Sequence, residues 1–435
     1  MKRKVTLAET KLTNVDLLLK PALYIKATVT DKQGNQRVVL NEKAKSFVGN
    51  FAAMLFQLMG RNNRLPEIVQ TAGTTRGWGR NELSGLMDMS TLNSTYWNVN
   101  QGICVGTSNT PVSWSQFHLQ DPIPNGSSSG ELVYDTSHNF SEPVITNYGS
   151  PVTDSDSVIK VSRVFTNNSG ADIDIKEVGI FSRFTTMYFY HIGHPTHEAS
   201  TSTAPTSTGS QNESYMMVRD VLTTPITVGI GSFVTIEYAI KTEIELATGG
   251  FTHNFNRLMY RHFMGRSFAV ECLKGGTYTT SSQNYGFLAA SQGAKHFVGA
   301  QNYSLHYHNN CHPDEFTQGE GLGVVIGLSD DIHGGINSND LHTRIKHGTG
   351  TNQMLLYGSF VHNYVATPGD MKAEWDCERV CVNRSGSSIT VKEAGLTCML
   401  SSSRICLIAR DILPSPVTVL DGDGIRVRYK FIIAE

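Results

Sequence analysis

The stretch His306-Tyr-His308-Asn-Asn-Cys311-His312 holds a dense set of metal-capable side chains. On a strand, positions i and i+2 share a face, so His306 and His308 would point together, and Cys311 and His312 would complete four ligands of the kind tetrahedral zinc takes. The spacing fits no common structural zinc motif, and a polar chain with 15 histidines is expected to carry several in surface loops. His191, His194 and His197 recur every third residue, but Gly193 and Pro195 interrupt the helix that would align them. Asp421-Gly-Asp-Gly424 resembles the start of a calcium loop, yet the position of the closing glutamate is Ile432. A tight hairpin turn accounts for it. No metal or cofactor is assigned to any of these groups.

Two glutamates carry the stronger signal. Ile173, Ile175 and Glu177 share one strand face by period two, as do Ile389, Val391 and Glu393, so each carboxylate is aimed at the apolar side unless a bulge intervenes. A buried carboxylate needs a cation. Arg163 or Arg219 would serve Glu177, and Arg379 or Arg410 would serve Glu393, as structural ion pairs that pin strand register. Acid catalysis by the two carboxylates together would need them about 5 to 9.5 Å apart across one substrate, whereas twin domains would place them in separate cores. A Gly-x-Ser-x-Gly elbow, a Walker loop, His-Glu-x-x-His and a dinucleotide fingerprint are all missing, so a noncatalytic role is expected.

These residues recur because the chain repeats itself. Arg163-Val-Phe-Thr-Asn-Asn-Ser-Gly170 and Ile173-Asp-Ile-Lys-Glu-Val-Gly179 return as Arg379-Val-Cys-Val-Asn-Arg-Ser-Gly386 and Ile389-Thr-Val-Lys-Glu-Ala-Gly395 at one constant offset. Arg219-Asp-Val-Leu-Thr-Thr-Pro-Ile-Thr-Val228 returns as Arg410-Asp-Ile-Leu-Pro-Ser-Pro-Val-Thr-Val419, and Tyr238 as Tyr429. That second offset is shorter because the first half carries an additional segment after Phe181. From Pro195 to Ser214 this segment is too poor in apolar residues to offset its ordering entropy, and it is expected to be an exposed loop.

At 435 residues the chain exceeds the size at which one core usually keeps growing. The expected division is 1–246, an N-terminal hairpin, a helix and the first repeat, and 247–435, the second repeat, each able to bury its own core. Hydrophobic content is 39% and charged content 17%, with 40 glycines, which suits short strands joined by many turns. The expected class is all-β with one amphipathic helix per half, built as a tandem duplicated antiparallel β-sandwich with jelly-roll-like connections.

Leu23, Ile25, Ala27 and Val29 alternate with polar neighbours before the turn Asp31 to Asn35 and the return Val38 to Leu40. Phe47, Phe51, Leu55 and Leu58 make a helical stripe, echoed by Phe251, Phe255, Leu258 and Met259. Pro225 and Pro416 are expected to begin strands, where a missing N–H is harmless. Ile425, Val427, Tyr429 and Phe431 alternate with Arg426, Arg428 and Lys430 as in a half-buried strand.

A formal charge of -2 offers no field for gathering phosphates, so nucleic acid is not expected as a direct partner. No stretch approaches the roughly 18 apolar residues of a membrane span. Polar residues after Met1-Lys-Arg-Lys4 interrupt any export-signal core, and the seven cysteines are expected to be buried reduced thiols. Cys398 and Cys406 flank an expected hairpin and could face each other across it.

The phrases Phe165 to Phe181, Arg219 to Val228 with Tyr238, and Val105-Gly-Thr-Ser-Asn-Thr-Pro-Val112 before Leu119 resemble segments of virion structural proteins of tailed bacteriophages. The second copy departs at Thr397-Cys-Met, where Phe181 has its counterpart, and lacks the Thr-Pro after Gly327. The resemblance implies a tail, neck or baseplate component made in the host cytoplasm and resident in the virion. It further implies a ring or symmetric oligomer contacting copies of itself and other virion proteins. Loops 61–100, 184–217 and 267–320 would make those contacts, with Trp78, Trp97 and Tyr303 as anchors. An alternative is a receptor- or glycan-binding module, in which the tryptophans stack on sugars of the host surface. A hydrolase with a metal in the His306 to His312 loop is a third.

Overall fold

The computed structural model describes residues 11–19, 22–44, 47–59, 68–69, 75–76, 102–135, 139–146, 155–184, 213–245, 249–255, 270–274, 277–281, 323–331, 341–357, 359–401 and 404–434. Strands dominate them, and the class is all-β. No helix among the described residues is long and apolar enough to cross a membrane.

The expected hairpin pairs Ala22–Thr30 with Gln36–Lys43, and Asp31 Oδ1 closes its turn by accepting from Gln33 N and Asn35 N, both at 2.9 Å. The helix Gly49–Met59 follows. Phe47 stacks on Phe51 at 4.2 Å, Val48 N donates to Met217 O, and Asn50 Nδ2 donates to Met216 O. The second half begins alike: Phe251 stacks on Phe255 at 3.9 Å, Thr252 N donates to Ile408 O, and Asn254 Nδ2 donates to Leu407 O. The rest of the expected second helix, including Leu258 and Met259, lies outside the described residues.

Each half then makes the same pairings. Ile173–Phe184 lies antiparallel between Gly102–Gly106 and Glu213–Val228, and Ile389–Ser401 lies antiparallel between Gly323–Gly327 and Arg404–Val419. Ser155–Thr166 pairs with Phe233–Glu245 so that Thr166 faces Phe233, and Lys372–Asn383 pairs with Gly424–Ile433 so that Val382 faces Gly424.

The prolines stand elsewhere than expected. Pro225 and Pro416 lie within the long strands Glu213–Val228 and Arg404–Val419, where the register shifts between Ile175 and Glu177 and between Val391 and Glu393. At each shift the strand makes an exposed excursion, 223–225 in one half and 414–416 in the other, before Ile226 or Val417 rejoins the ladder. A bulge is a second place in a sheet where a missing N–H costs nothing, and hydrophobic alternation continues unbroken on either side of it.

The Asn-x-Ser-Gly turns owe their sequence to a buried amide. Asn167 Nδ2 donates to Ala171 O and Val228 O at 2.9 and 2.7 Å, and its Oδ1 accepts from Ser169 N and Ser169 Oγ. Asn383 does the same toward Ser387 O, Val419 O and Ser385. In each half one asparagine ties two neighbouring hairpin turns together, and the second turn places a glycine, Gly231 or Gly422, at positive φ.

The two halves differ at one sheet edge. Phe233–Glu245 is flanked by Ala22–Thr30, antiparallel, with Gln36–Lys43 outside it. Gly424–Ile433 is flanked instead by Leu12–Leu19, and in parallel. Gly249–Phe251 pairs both with Phe233–Glu245 and with Arg404–Val419, so strands of both halves share a twelve-stranded sheet. Buried apolar side chains from Leu17 to Ile433 form one contiguous cluster drawing on both halves, where two separate cores were expected.

The asparagine clasp predicts a measurable cost. Asn167→Ala takes the side-chain donor from the buried Val228 carbonyl and the acceptor from Ser169 N and Oγ, and should destabilise the protein by about 1–3 kcal/mol in urea denaturation. Asn168→Ala, next door but exposed, should stay within about 0.5 kcal/mol of the parent.

Candidate functional site

Glu177 and Arg219 sit on adjacent strands two residues out of register, hence on one face: Glu177 faces Val221 and Arg219 faces Gly179. Both side chains are fully buried, and Arg219 Nε donates to Glu177 Oε2 at 2.7 Å. The other atoms of the pair go to one loop. Glu177 Oε1 accepts from Asp121 N at 2.8 Å and Oε2 from Gln120 N at 3.3 Å. Arg219 Nη1 donates to Gln116 Oε1 at 2.9 Å, and Nη2 donates to Thr110 O at 3.0 Å. The pair therefore holds both legs of the loop that leaves Gly102–Gly106.

The second half builds the same clamp. Arg410 donates to Glu393 Oε2 through Nε at 3.0 Å and Nη2 at 2.8 Å, and Nη2 also reaches Asp331 O. Glu393 accepts from Thr343 N at 3.1 Å and His342 N at 3.4 Å.

Glycine makes room for both carboxylates. A Cβ at Gly106 would come within 2.6 Å of Asp121 O and also strike Glu177, and one at Gly327 would come within 2.7 Å of Glu393 Cγ. The loop's return leg packs over a second glycine, since a Cβ at Gly179 or Gly395 would lie 3.0 or 2.9 Å from Cδ2 of Leu119 or Leu341. The strand-end glycines were legible as turns; their service to the glutamates was not, because it depends on a contact between residues far apart in sequence.

Of the two arginines open to each glutamate, the structure pairs Arg219 and Arg410. Arg163 and Arg379 lie on Ser155–Thr166 and Lys372–Asn383, which pair with Phe233–Glu245 and Gly424–Ile433 rather than with the glutamate strands. Arg163 Nε and Nη1 donate to Asp135 O and Ile103 O at 3.0 and 2.9 Å, and its guanidinium lies 4.7 Å above the Tyr134 ring. Burial lowers its pKa and raises that of Tyr134, whose hydroxyl donates to Ile123 O at 2.7 Å. Arg379 holds the corresponding position opposite Val427, near Cys377 and Cys381, whose thiols burial pushes up to about 12.

A buried Asp–Tyr set went unrecognised in the repeated Arg-Asp pairs. Tyr238 Oη donates to Asp220 Oδ2 at 2.9 Å, and burial, then the Asp220 charge, raises the phenol's pKa. At Asp411 and Tyr429 the hydroxyl still favours the carboxylate, but Asp411 Oδ2 and Tyr429 Oη reach no full hydrogen-bond geometry. Burial therefore dominates and pushes Asp411 up to about 7.

A surface group also escaped the sequence reading. His342 Nδ1 lies 3.0 Å from Ser329 Oγ, and His342 Nε2 lies 3.9 Å from Asp331 Oδ2. Ser329 Oγ accepts from Asp331 N at 3.0 Å, so it closes a local turn, and the longer separation is beyond hydrogen bonding. Gln120 stands at the place of His342 in the first half, as the shared clamp contacts show.

Among the described residues no group of three or more His, Cys, Asp or Glu is placed to hold a metal ion. Trp78, Trp97, Tyr303, His191 to His197 and His306 to His312 lie outside those residues. Of the expected contact loops, residues 213–217 belong to a strand, with Tyr215, Met216 and Met217 buried. Strand register places Cys398 directly opposite Cys406, while Cys104, Cys377 and Cys381 are buried thiols in no disulfide. Compared with known proteins, the chain matches no family model, no curated protein and no solved structure.

Two expectations follow. Arg219→Met should cost about 3–5 kcal/mol, and adding Glu177→Leu should not restore stability, because the amides of Gln120 and Asp121 lose their acceptor as well. Hydrogen exchange at those two amides should quicken in both variants. Asp411 has its pKa raised from 3.8 to about 7 on folding. Between those values the folded state holds a proton that the unfolded chain has lost, so stability falls as pH rises from about 4 to about 7. Asp411→Asn should remove that slope and gain up to about 4 kcal/mol at pH 8, read from denaturation curves at a series of pH values.

Proposed function

We propose that the protein is a noncatalytic structural subunit of a tailed-bacteriophage particle, a tail, neck or baseplate component that works as a symmetric oligomer in the virion. Its neighbours are copies of itself and other virion proteins. In this reading the chain is a tandem duplication of one antiparallel β-sandwich unit with jelly-roll-like connections, and the duplication serves shape.

The observation that supports it best is the use made of the repeated ionic residues. Glu177 with Arg219 and Glu393 with Arg410 spend their charged atoms on each other and on loop groups, most of them backbone. A carboxylate that accepts from two amides and a guanidinium is committed to holding a loop on a sheet. The all-β fold and the motif resemblance at Phe165 to Phe181 and Arg219 to Val228 agree with a scaffold whose loops are its contact surfaces.

Light scattering coupled to size exclusion, followed by negative-stain imaging, tests this proposal. A closed symmetric oligomer is expected at micromolar concentration. A protein that stays monomeric at every concentration and ignores phage particles lacking this subunit would sink it.

A further inference from the structure

Among the described residues the second unit supplies no flanking strand of its own to the outer edge of Gly424–Ile433. In the first unit, Ala22–Thr30 covers the edge of Phe233–Glu245. Between Glu245 and Phe251, where the second unit begins, the sequence has no room for a comparable hairpin. The edge of Gly424–Ile433 is covered by Leu12–Leu19, which reaches it from the opposite end of the chain and runs parallel to it.

The fit between arm and edge is specific. Gly424 N donates to Lys11 O at 2.9 Å, and a Cβ at Gly424 would come within 3.1 Å of Leu12 Cδ1, where the first unit has Phe233. Leu17 is buried opposite Tyr429, and Asp16 lies 3.7 Å from Arg428 Nε. Yet few of the arm's side chains are buried. Leu17 is the one buried side chain among residues 12–18, and Leu18 is 51% exposed. For such a strand the net gain of a backbone ladder and the cost of ordering it are of similar size. Only Lys20 and Pro21 separate the arm in sequence from Ala22–Thr30, which belongs to a different sheet.

We propose that Leu12–Leu19 is an exchangeable arm and the Gly424–Ile433 edge its acceptor, so that in the assembled state each copy donates the arm to the second unit of a neighbouring copy. Donor and acceptor lie on one polypeptide, so every copy carries one of each. The contact is heterologous, and repeated exchange closes a ring, while reciprocal exchange closes a dimer. Recognition is strand addition: main-chain bonds supply the attachment, and Leu17 and Asp16 set the register. This rests on the assembly reading above and names the contact by which it would occur.

Asp16 and Arg428 provide the test, because their side chains meet at the register. Copies carrying Asp16→Cys are mixed with heavy-isotope copies carrying Arg428→Cys, allowed to assemble, and oxidised with oxidised glutathione, which is reduced as the disulfide forms. Peptide mapping should find the light–heavy disulfide as the main cross-link in the oligomer fraction. The double variant in one chain should cross-link internally in the monomer fraction. Leu17→Asp should weaken association by roughly tenfold or more while leaving the far-ultraviolet circular dichroism unchanged. An oligomer that forms without any light–heavy product, with the double variant closing only within chains, overturns the exchange and leaves the assembly reading standing. A protein that never leaves the monomer overturns both.

Discussion

A carboxylate cannot be taken out of water alone, and the placement of Glu177 and Glu393 at full burial constrains everything around them. Each needs a cation, which comes from the next strand as Arg219 or Arg410. Each needs further donors, which come from the backbone of the loop return, and each needs a space, which comes from Gly106 or Gly327. Strand, loop and partner strand are thereby fixed together at one point. Replacing a buried pair with apolar residues is often neutral, but here the loop amides would lose their acceptor, so the ionic solution is tied to the loop's position.

The two halves apply that constraint with different emphasis. Arg410 directs both Nε and Nη2 to the glutamate and reaches the loop through Asp331 O. Arg219 gives the glutamate only Nε and sends its terminal nitrogens to Thr110 O and Gln116 Oε1, where Gln116 itself organises a turn by accepting from Ser113 N. A similar drift separates Asp220–Tyr238, a full hydrogen bond, from Asp411–Tyr429, where burial outweighs the contact. One framework thus tolerates divergence in how completely its polar groups are satisfied.

What the sequence made legible were features whose cause is local. The alternation of Leu23 to Val29, the turn at Asp31 to Asn35, the Phe47 stripe and the Asn-x-Ser-Gly turns each depend on residues within a few positions of one another. The burial of Glu177 and Glu393 was also readable, because period two and a repeated apolar face point the same way. The choice of Arg219 over Arg163 was not, since both are buried arginines near one apolar strand and only strand order decides between them. The bulges at Pro225 and Pro416 were hidden for a related reason: a proline at a strand start and a proline in a bulge leave the same mark in a sequence.

The parallel arm is the feature furthest from local signals, and it changes how the halves relate. Sequence repetition suggests two equal units, but a repeat can copy only what lies within it, and the flanking strands at the chain's start precede the part that returns. The second unit's sheet therefore ends at Gly424–Ile433 unless another segment covers it, and Leu12–Leu19 does so in the direction opposite to that of the first unit's flank. The reversal explains a residue that the repeat alone does not: Phe233 faces Thr30 at the end of an antiparallel strand, whereas Gly424 must admit Leu12 at the beginning of a parallel one. Because Leu17 joins the same buried cluster as Tyr429 and Phe431, the arm is part of the core it covers. Loss of the arm would expose one edge of the second unit's sheet and open the core beside it, while the first unit's flank stayed in place.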